Sequence, residues 1–257
     1  MVQPKGLFHI DWNKRGLSLI VSPENSELEH LAVYALSLDK NEEESILFKN
    51  CEVAIFVIRG SAEFKVEDKV FNARAHDTLF LGPNVKATVI GKDPFLRAIV
   101  ACAPSEIAKV TSFIPIDQVL KDSNLNRLVG EDNYVRQVIT VIGDNIKAAR
   151  LLAGYTWVKP GNWSSWPPHE HGDLMEEVYV FYELPPPGYG IQFVYENIDK
   201  ASVYLVREDD VVVIPRGYHP NVVTPGFEMK YLWILSARRA FVDRKYGAWK
   251  VQPEFVK

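Results

Sequence analysis

The sequence predicts an all-β protein made of two tandem β-barrels with a short helical connector. Three observations carry this reading: short apolar runs, turn residues between them, and a repeat of domain size. Runs rich in Val, Ile, Phe and Tyr occur at 53–58, 78–81, 85–90, 178–182, 203–206, 211–214 and 229–235. Gly, Pro, Asn and Asp separate them, as in sandwiches and barrels built from regularly spaced short strands. Helical periodicity is scarce. Residues 105–109 and 115–128 are the candidates, the second as the connector.

The repeat emerges when the strands are aligned. Cys51-Glu-Val-Ala-Ile-Phe matches Glu176-Glu-Val-Tyr-Val-Phe, and His76-Asp-Thr-Leu-Phe-Leu matches Asp209-Asp-Val-Val-Val-Ile. The first pair is offset by 125 residues (Glu52 to Glu177) and the second by 133 (Asp77 to Asp210). A longer loop at Leu184-Pro-Pro-Pro-Gly-Tyr-Gly, read as a stiff connection, accounts for the difference. A domain-sized period means duplicated domains, divided here as 1–128 and 129–257. The copies differ where chemistry would sit. The first has no His pair, and Lys86 falls where the second has His219. An ammonium repels a dication, so the N-terminal barrel is expected to be a structural half without metal.

Composition limits the function classes. A net charge of −4 without a basic block argues against nucleic acid as partner. No apolar stretch approaches the ~20 residues of a membrane span, and the N-terminus carries no secretory h-region. Two cysteines, Cys51 and Cys102, suit a reducing compartment and are expected to be buried and inert. A cytoplasmic protein is expected.

The segment Gly161 to Glu177 is the most informative. His169 and His171 are two apart, so in an extended strand both imidazoles project to one face. Glu176 or Glu177 can add a carboxylate, but adjacent strand residues face opposite ways and only one can join the pair. The strand pattern leaves the choice open; the repeat favours Glu177, which aligns with Glu52. His219, in Ile214-Pro-Arg-Gly-Tyr-His, would bring a fourth ligand from a neighbouring strand. Three of the six histidines lie in these two motifs. Imidazoles with a carboxylate suit one divalent ion, zinc being the first choice and Mn, Fe, Co or Ni sharing the same ligand chemistry. Trp163 and Trp166 are read as packing residues.

These residues resemble the cupin superfamily, in which His-x-His, Glu and His lie on short strands of a double-stranded β-helix, or jelly roll; two copies make a bicupin. More narrowly, Pro160-Gly-Asn-Trp-Ser-Ser-Trp-Pro-Pro-His-Glu-His, Met175-Glu-Glu-Val-Tyr, Gly188-Tyr-Gly-Ile-Gln-Phe-Val-Tyr and Val213-Ile-Pro-Arg-Gly-Tyr-His-Pro resemble the 5-deoxy-glucuronate isomerases of myo-inositol catabolism. The resemblance implies metal ligands at His169, His171, Glu177 and His219. It also implies conversion of 5-deoxy-D-glucuronate into 5-dehydro-2-deoxy-D-gluconate. Only four residues, Gly172 to Met175, separate His171 from the Glu pair. The related 4-deoxy-5-keto-uronate isomerases share this short form and supply the alternative substrate.

An aldose–ketose shift moves a proton or hydride between neighbouring carbons. Glu176, Tyr179, Tyr182 and Tyr218 are the candidate catalytic groups. The sugar acid's carboxylate needs a cation, for which Arg216 is the first choice and Lys159 and Arg207 the reserves. Gln192 could bind a hydroxyl. A metal-dependent dioxygenase and a non-catalytic sugar-binding bicupin are the competing readings. The expected partner is a small sugar acid, with room for a homo-oligomer through edge strands or through the tail 241–257, which carries Tyr246, Trp249 and Phe255.

Overall fold

The computed structural model describes residues 6–256. In the first half, a six-stranded antiparallel sheet runs in the order Thr111–Ile114, Thr78–Leu81, Cys51–Arg59, Leu96–Pro104, Ala32–Leu38, Gly16–Val21. A four-stranded sheet, Glu43–Ile46, Ala87–Gly91, Ser61–Val66, Lys69–Arg74, packs against it. Val53, Ile55, Val57, Phe64, Leu79, Leu81 and Val89 fill the space between the two. The second half repeats the plan. A seven-stranded sheet has the order Leu7–His9, Asp210–Ile214, Met175–Tyr182, Met229–Ala237, Leu151–Val158, Arg136–Ile142, Asn126–Val129. Its partner is Trp163–Ser164, Asn221–Val223, Gly190–Val194, Ser202–Val206. Tyr179, Phe181, Ile214, Val223, Tyr231 and Trp233 lie between them. The expected all-β pair of jelly rolls is therefore present.

The outer faces of the two large sheets pack on each other. Ala54, Phe56, Ile58, Ile99 and Ala101 from one meet Val178, Val180, Leu232 and Ile234 from the other in a single apolar cluster. Central strands are thus covered on both faces. Every residue of Met175–Tyr182 is buried, which is why this strand reads as a continuous run instead of an alternation.

Two carboxylates clasp the halves together. Glu52 accepts the backbone N–H groups of Ala149, Arg150 and Leu151 at 2.7–2.8 Å, at the entry to Leu151–Val158. Glu176 accepts those of Glu29, His30 and Leu31 at 2.6–2.8 Å, at the entry to Ala32–Leu38. The arrangement is reciprocal and corrects the repeat alignment. The counterpart of Glu52 is Glu176, not Glu177, and Val53 stands where the second barrel has Glu177. A shift of one residue exchanges the faces of a strand, so a one-residue error in alignment confuses a clasp with a candidate ligand. Lys86 is exposed at the surface instead of entering the first barrel.

Three further details differ from expectation. Residues 105–109 form no helix, because the Ser105 hydroxyl takes the N–H of Ile107 and Gly82 N–H bonds Val110 O, which keeps the chain extended. The connector is one short helix, Ile116–Lys121, with Ile116 and Val119 buried. Cys51 is half-buried where both cysteines were expected inside. The chain also crosses between halves: Leu7–His9 pairs with Asp210–Ile214, and position 128/129 falls inside Asn126–Val129. Among the described residues no helix is long and apolar enough to cross a membrane.

Candidate active site

Met175–Tyr182 directs Glu177, Tyr179 and Phe181 into the second barrel. His169 lies on the two-residue strand His169–Glu170, with His171 just beyond it. His219 follows Gly217, whose φ is 89° and where a Cβ would meet Tyr195 O at 2.6 Å, so only glycine lets the chain turn His219 inward. The imidazole of His219 is 4.7 Å from that of His169 and 5.5 Å from that of His171, between ring centroids. One nitrogen from each of the three rings lies within 4.8 Å of the others. Glu177 Oε2 is 3.2 Å from His219 Nε2 and 3.4 Å from His171 Nε2.

The protonation pattern points the same way. The Nδ1 atoms of His169, His171 and His219 lie 3.2, 3.2 and 2.9 Å from the carbonyls of Pro167, Ala248 and Gly217. A carbonyl only accepts, so each Nδ1 carries a hydrogen, leaving each Nε2 as the nitrogen that can bind an ion. Both Glu177 Oε2 and His219 Nε2 are buried without a hydrogen-bond partner, a costly condition that a bound cation would relieve. Burial pushes His169 down to about 3, with the neighbouring His219 and His171 adding to the effect. Burial alone would raise Glu177, but His171 and His219 outweigh it and hold the carboxyl at about 2. Burial would lower His171, but Glu177 outweighs it and raises the imidazole above its ordinary value. Three imidazoles around a carboxylate are the donor set a divalent ion takes when it displaces their protons. These residues could hold a metal ion.

The cluster opens into a cavity of about 580 Å³, within the ~300–1,000 Å³ usual for small-molecule sites. Tyr179, Tyr231, Ser164 and Ser165 form one wall. Tyr179 OH is 2.8 Å from Ser165 Oγ, and its ring stacks on Tyr231 at 4.4 Å. Burial raises the Tyr179 phenol well above its ordinary value, helped by the Glu177 charge. The tail folds over the opening. Lys250–Val251 pairs with His169–Glu170, Trp249 lies 5.9 Å from His169, and Phe255 packs edge-on against Trp166 at 5.0 Å. The tail thus packs on its own second barrel, a placement the sequence did not suggest.

A family model described as the KduI/IolB family matches residues 9–249. The chain belongs to the KduI/IolB family. It is similar to the 5-deoxy-glucuronate isomerase of Halalkalibacterium halodurans, 26% identical over 244 residues that span 86% of this chain and 88% of the relative. An IolB-like protein from Salmonella typhimurium superposes with a TM-score of 0.85 at 22% identity, covering 98% of both chains. The oxalate decarboxylase of Lactobacillus farciminis shares the fold at a TM-score of 0.63 and 11% identity, over 91% of this chain and 87% of its own. This member of the KduI/IolB family is a bicupin and an isomerase.

Not all the residues expected to serve this isomerase lie together. His169, His171, Glu177 and Tyr179 line the cavity, with His219 buried beside them. Glu176 faces the other barrel with both oxygens occupied by backbone N–H groups, so it cannot serve as base. Tyr182 also lies on that outer face, its hydroxyl accepting from Trp157 Nε1 at 3.1 Å. Tyr218 bridges to Tyr195 outside the cavity lining. Arg216 is exposed and pairs with Asp173 at 3.3 Å, and Lys159 and Arg207 are exposed on turns. Gln192 is fully buried; it donates to His219 O at 2.8 Å and accepts from Asn221 at 2.9 Å, so it braces the His219 backbone instead of meeting a hydroxyl. Trp163 is packing, stacked on Phe193 at 5.9 Å, whereas Trp166 reaches the cavity. Sequence reasoning passed over Arg136, Tyr231 and Ser165 and took Trp249 only as a packing residue of the tail. Their only local signal is polarity or aromaticity beside apolar strands.

Proposed function

We propose that the protein is a metal-dependent aldose–ketose isomerase that converts 5-deoxy-D-glucuronate into 5-dehydro-2-deoxy-D-gluconate, as a cytoplasmic step of myo-inositol catabolism. One observation carries the reading: an unpartnered carboxylate oxygen of Glu177 and an unpartnered Nε2 of His219 converge, with two further imidazoles, at the end of a sugar-sized cavity. His169, His171, Glu177 and His219 would hold one divalent ion, with zinc the first choice. When bound, such an ion supplies Lewis acidity to the neighbouring oxygens of an open-chain sugar. The reaction is redox-neutral. The hydrogen on the hydroxyl-bearing carbon moves to the aldehyde carbon, which becomes an alcohol as its neighbour becomes a ketone.

The chain's own groups have defined tasks in this reading. Tyr179, kept neutral by burial, donates a hydrogen bond from its hydroxyl to a substrate oxygen, and Ser165 fixes the direction of that hydroxyl. Trp166 and Trp249 exclude water from the reacting end. The first barrel acts as the structural half and the second as the working half.

The test is direct. Metal-loaded protein is incubated with 5-deoxy-D-glucuronate and, separately, with 4-deoxy-5-keto-uronate, and the carbonyl carbon is followed by NMR. Turnover of the first alone is expected, with metal analysis identifying one zinc per chain. Turnover of the second alone would reassign the substrate, and turnover of neither would reject the reading.

A further inference from the structure

The proposed substrate reacts at one end and carries a carboxylate at the other. That charge persists through the reaction, so a cavity built for it needs a cation away from the metal ligands. Arg136, the first residue of Arg136–Ile142, lines the cavity together with Ser164, Ser165 and Tyr179. Its Nη1 donates to Tyr134 O at 2.9 Å and its Nη2 to Trp166 O at 2.6 Å. Its guanidinium carbon lies 5.9 Å from the centre of the Tyr134 ring. These partners are neutral. Among the described residues Arg136 has no carboxylate within ion-pair distance, unlike Arg239 with Asp243 or Arg216 with Asp173. Burial lowers the guanidinium from its ordinary value, with only the phenols of Tyr231, Tyr179 and Tyr134 opposing the shift. A partly buried cation with two of its five donors on backbone carbonyls is short of an anion.

Two other cations touch this cavity, and neither is set as firmly. Arg127 is exposed, stacked over the Tyr246 ring at 5.6 Å and bonded to its hydroxyl. Lys245 is exposed on the tail. The acidic group at the mouth, Glu131, accepts from Tyr134 OH at 3.0 Å and leaves Arg136 unpaired.

We propose that Arg136 grips the substrate's carboxylate, giving the cavity an anion subsite beside Tyr134 and Trp166 and taking the role that sequence reasoning assigned to Arg216. The identity of the substrate rests on the isomerase reading; the anion subsite does not. Two backbone carbonyls already hold the guanidinium in position, so a carboxylate meets a preset fork and not a mobile chain.

The experiment compares wild type, Arg136→Gln and Arg136→Lys, all metal-loaded, on 5-deoxy-D-glucuronate and on 5-deoxy-D-glucose, which has a neutral CH2OH at the far end. Losing hydrogen bonds to a charge corresponds to about 10- to 100-fold. Arg136→Gln should raise KM for the acid by that factor, with a much smaller effect on the neutral sugar; Arg136→Lys should fall between. Calorimetric binding of D-gluconate, an acid that cannot isomerise this way, should weaken in the same order. If the wild type turns over neither sugar, the isomerase reading fails while the gluconate series still decides the subsite. Equal losses on acid and neutral sugar would give Arg136 a purely structural role through the Tyr134 and Trp166 carbonyls and overturn the proposal. Unchanged gluconate affinity in both variants would do the same.

Discussion

Glu176 and Glu177 are neighbours, both buried, and differ only in the face they take. Glu177→Gln should strip the metal, with stoichiometry falling from one per chain on elemental analysis of dialysed protein. Glu176→Gln should keep the metal and lose stability on the order of 3 kcal/mol, read from a urea midpoint, since three backbone N–H groups lose their ionic acceptor. The opposite pattern would exchange the two roles. Gln192→Leu takes the side-chain amide away from the carbonyls of His219 and Phe193 and from the Asn221 amide, while Pro220 O keeps the Phe193 N–H. A loss of about 1–3 kcal/mol is expected, together with about 10- to 100-fold weaker metal binding in a chelator competition. At this scale the three histidines were legible, because spacing alone sets His169 and His171 on one face. Which glutamate joined them was not, since the strand is buried on both sides and offers no alternation to read.

The tail element supplies a carbonyl and a cover. Ala248 O fixes the His171 tautomer, Lys250–Val251 adds a strand beside His169, and Gln252 N–H bonds Pro168 O. A chain ending at Lys245 keeps Asp243 with Arg239 and Arg244 on the Leu151 and Gly143 carbonyls. It should therefore fold, with metal affinity lowered by about 10- to 100-fold and isomerase activity nearly lost; a truncated chain with wild-type metal affinity would refute the bracing role. Strand 78–81 was read from its apolar run with the boundaries the fold has, because turn residues flank it closely. The tail's position was not readable: its contacts with His169 and His171 join segments about 80 residues apart in sequence, and no local pattern encodes such a meeting. Arg136 escaped notice for the same reason, as its cavity forms only when Trp166 arrives from a loop and Tyr179 from another strand.

For the whole molecule, the seam between barrels is also where acid should act. His76, from the first half, packs against Tyr155, Trp157 and Tyr182 of the second at 5.1, 5.5 and 5.7 Å, and its Nε2 has no partner. Burial pushes its imidazole down to about 4, with Glu183 opposing and Lys230 and Arg74 reinforcing the shift. The unfolded chain takes up that proton near 6.5 while the folded one refuses it until about 4. Stability should therefore decline as pH falls through this window and be unaffected by His76 above it. His76→Asn, suited to the residue's φ of 73°, should flatten the decline between pH 7 and pH 5 in urea midpoints; an equal decline in both proteins would exonerate His76. Duplication itself was legible from the repeat, but the face-to-face seam was not, because it depends on how two sheets meet. A last consequence concerns synthesis. The strand Leu7–His9 is synthesised before its hydrogen-bonding neighbour Asp210, which lies 201 positions downstream from His9. At about 5–20 residues per second the nascent strand waits roughly 10–40 s for it. The strand Leu7–His9 thus takes its place in the sheet only after some two hundred later residues have been made.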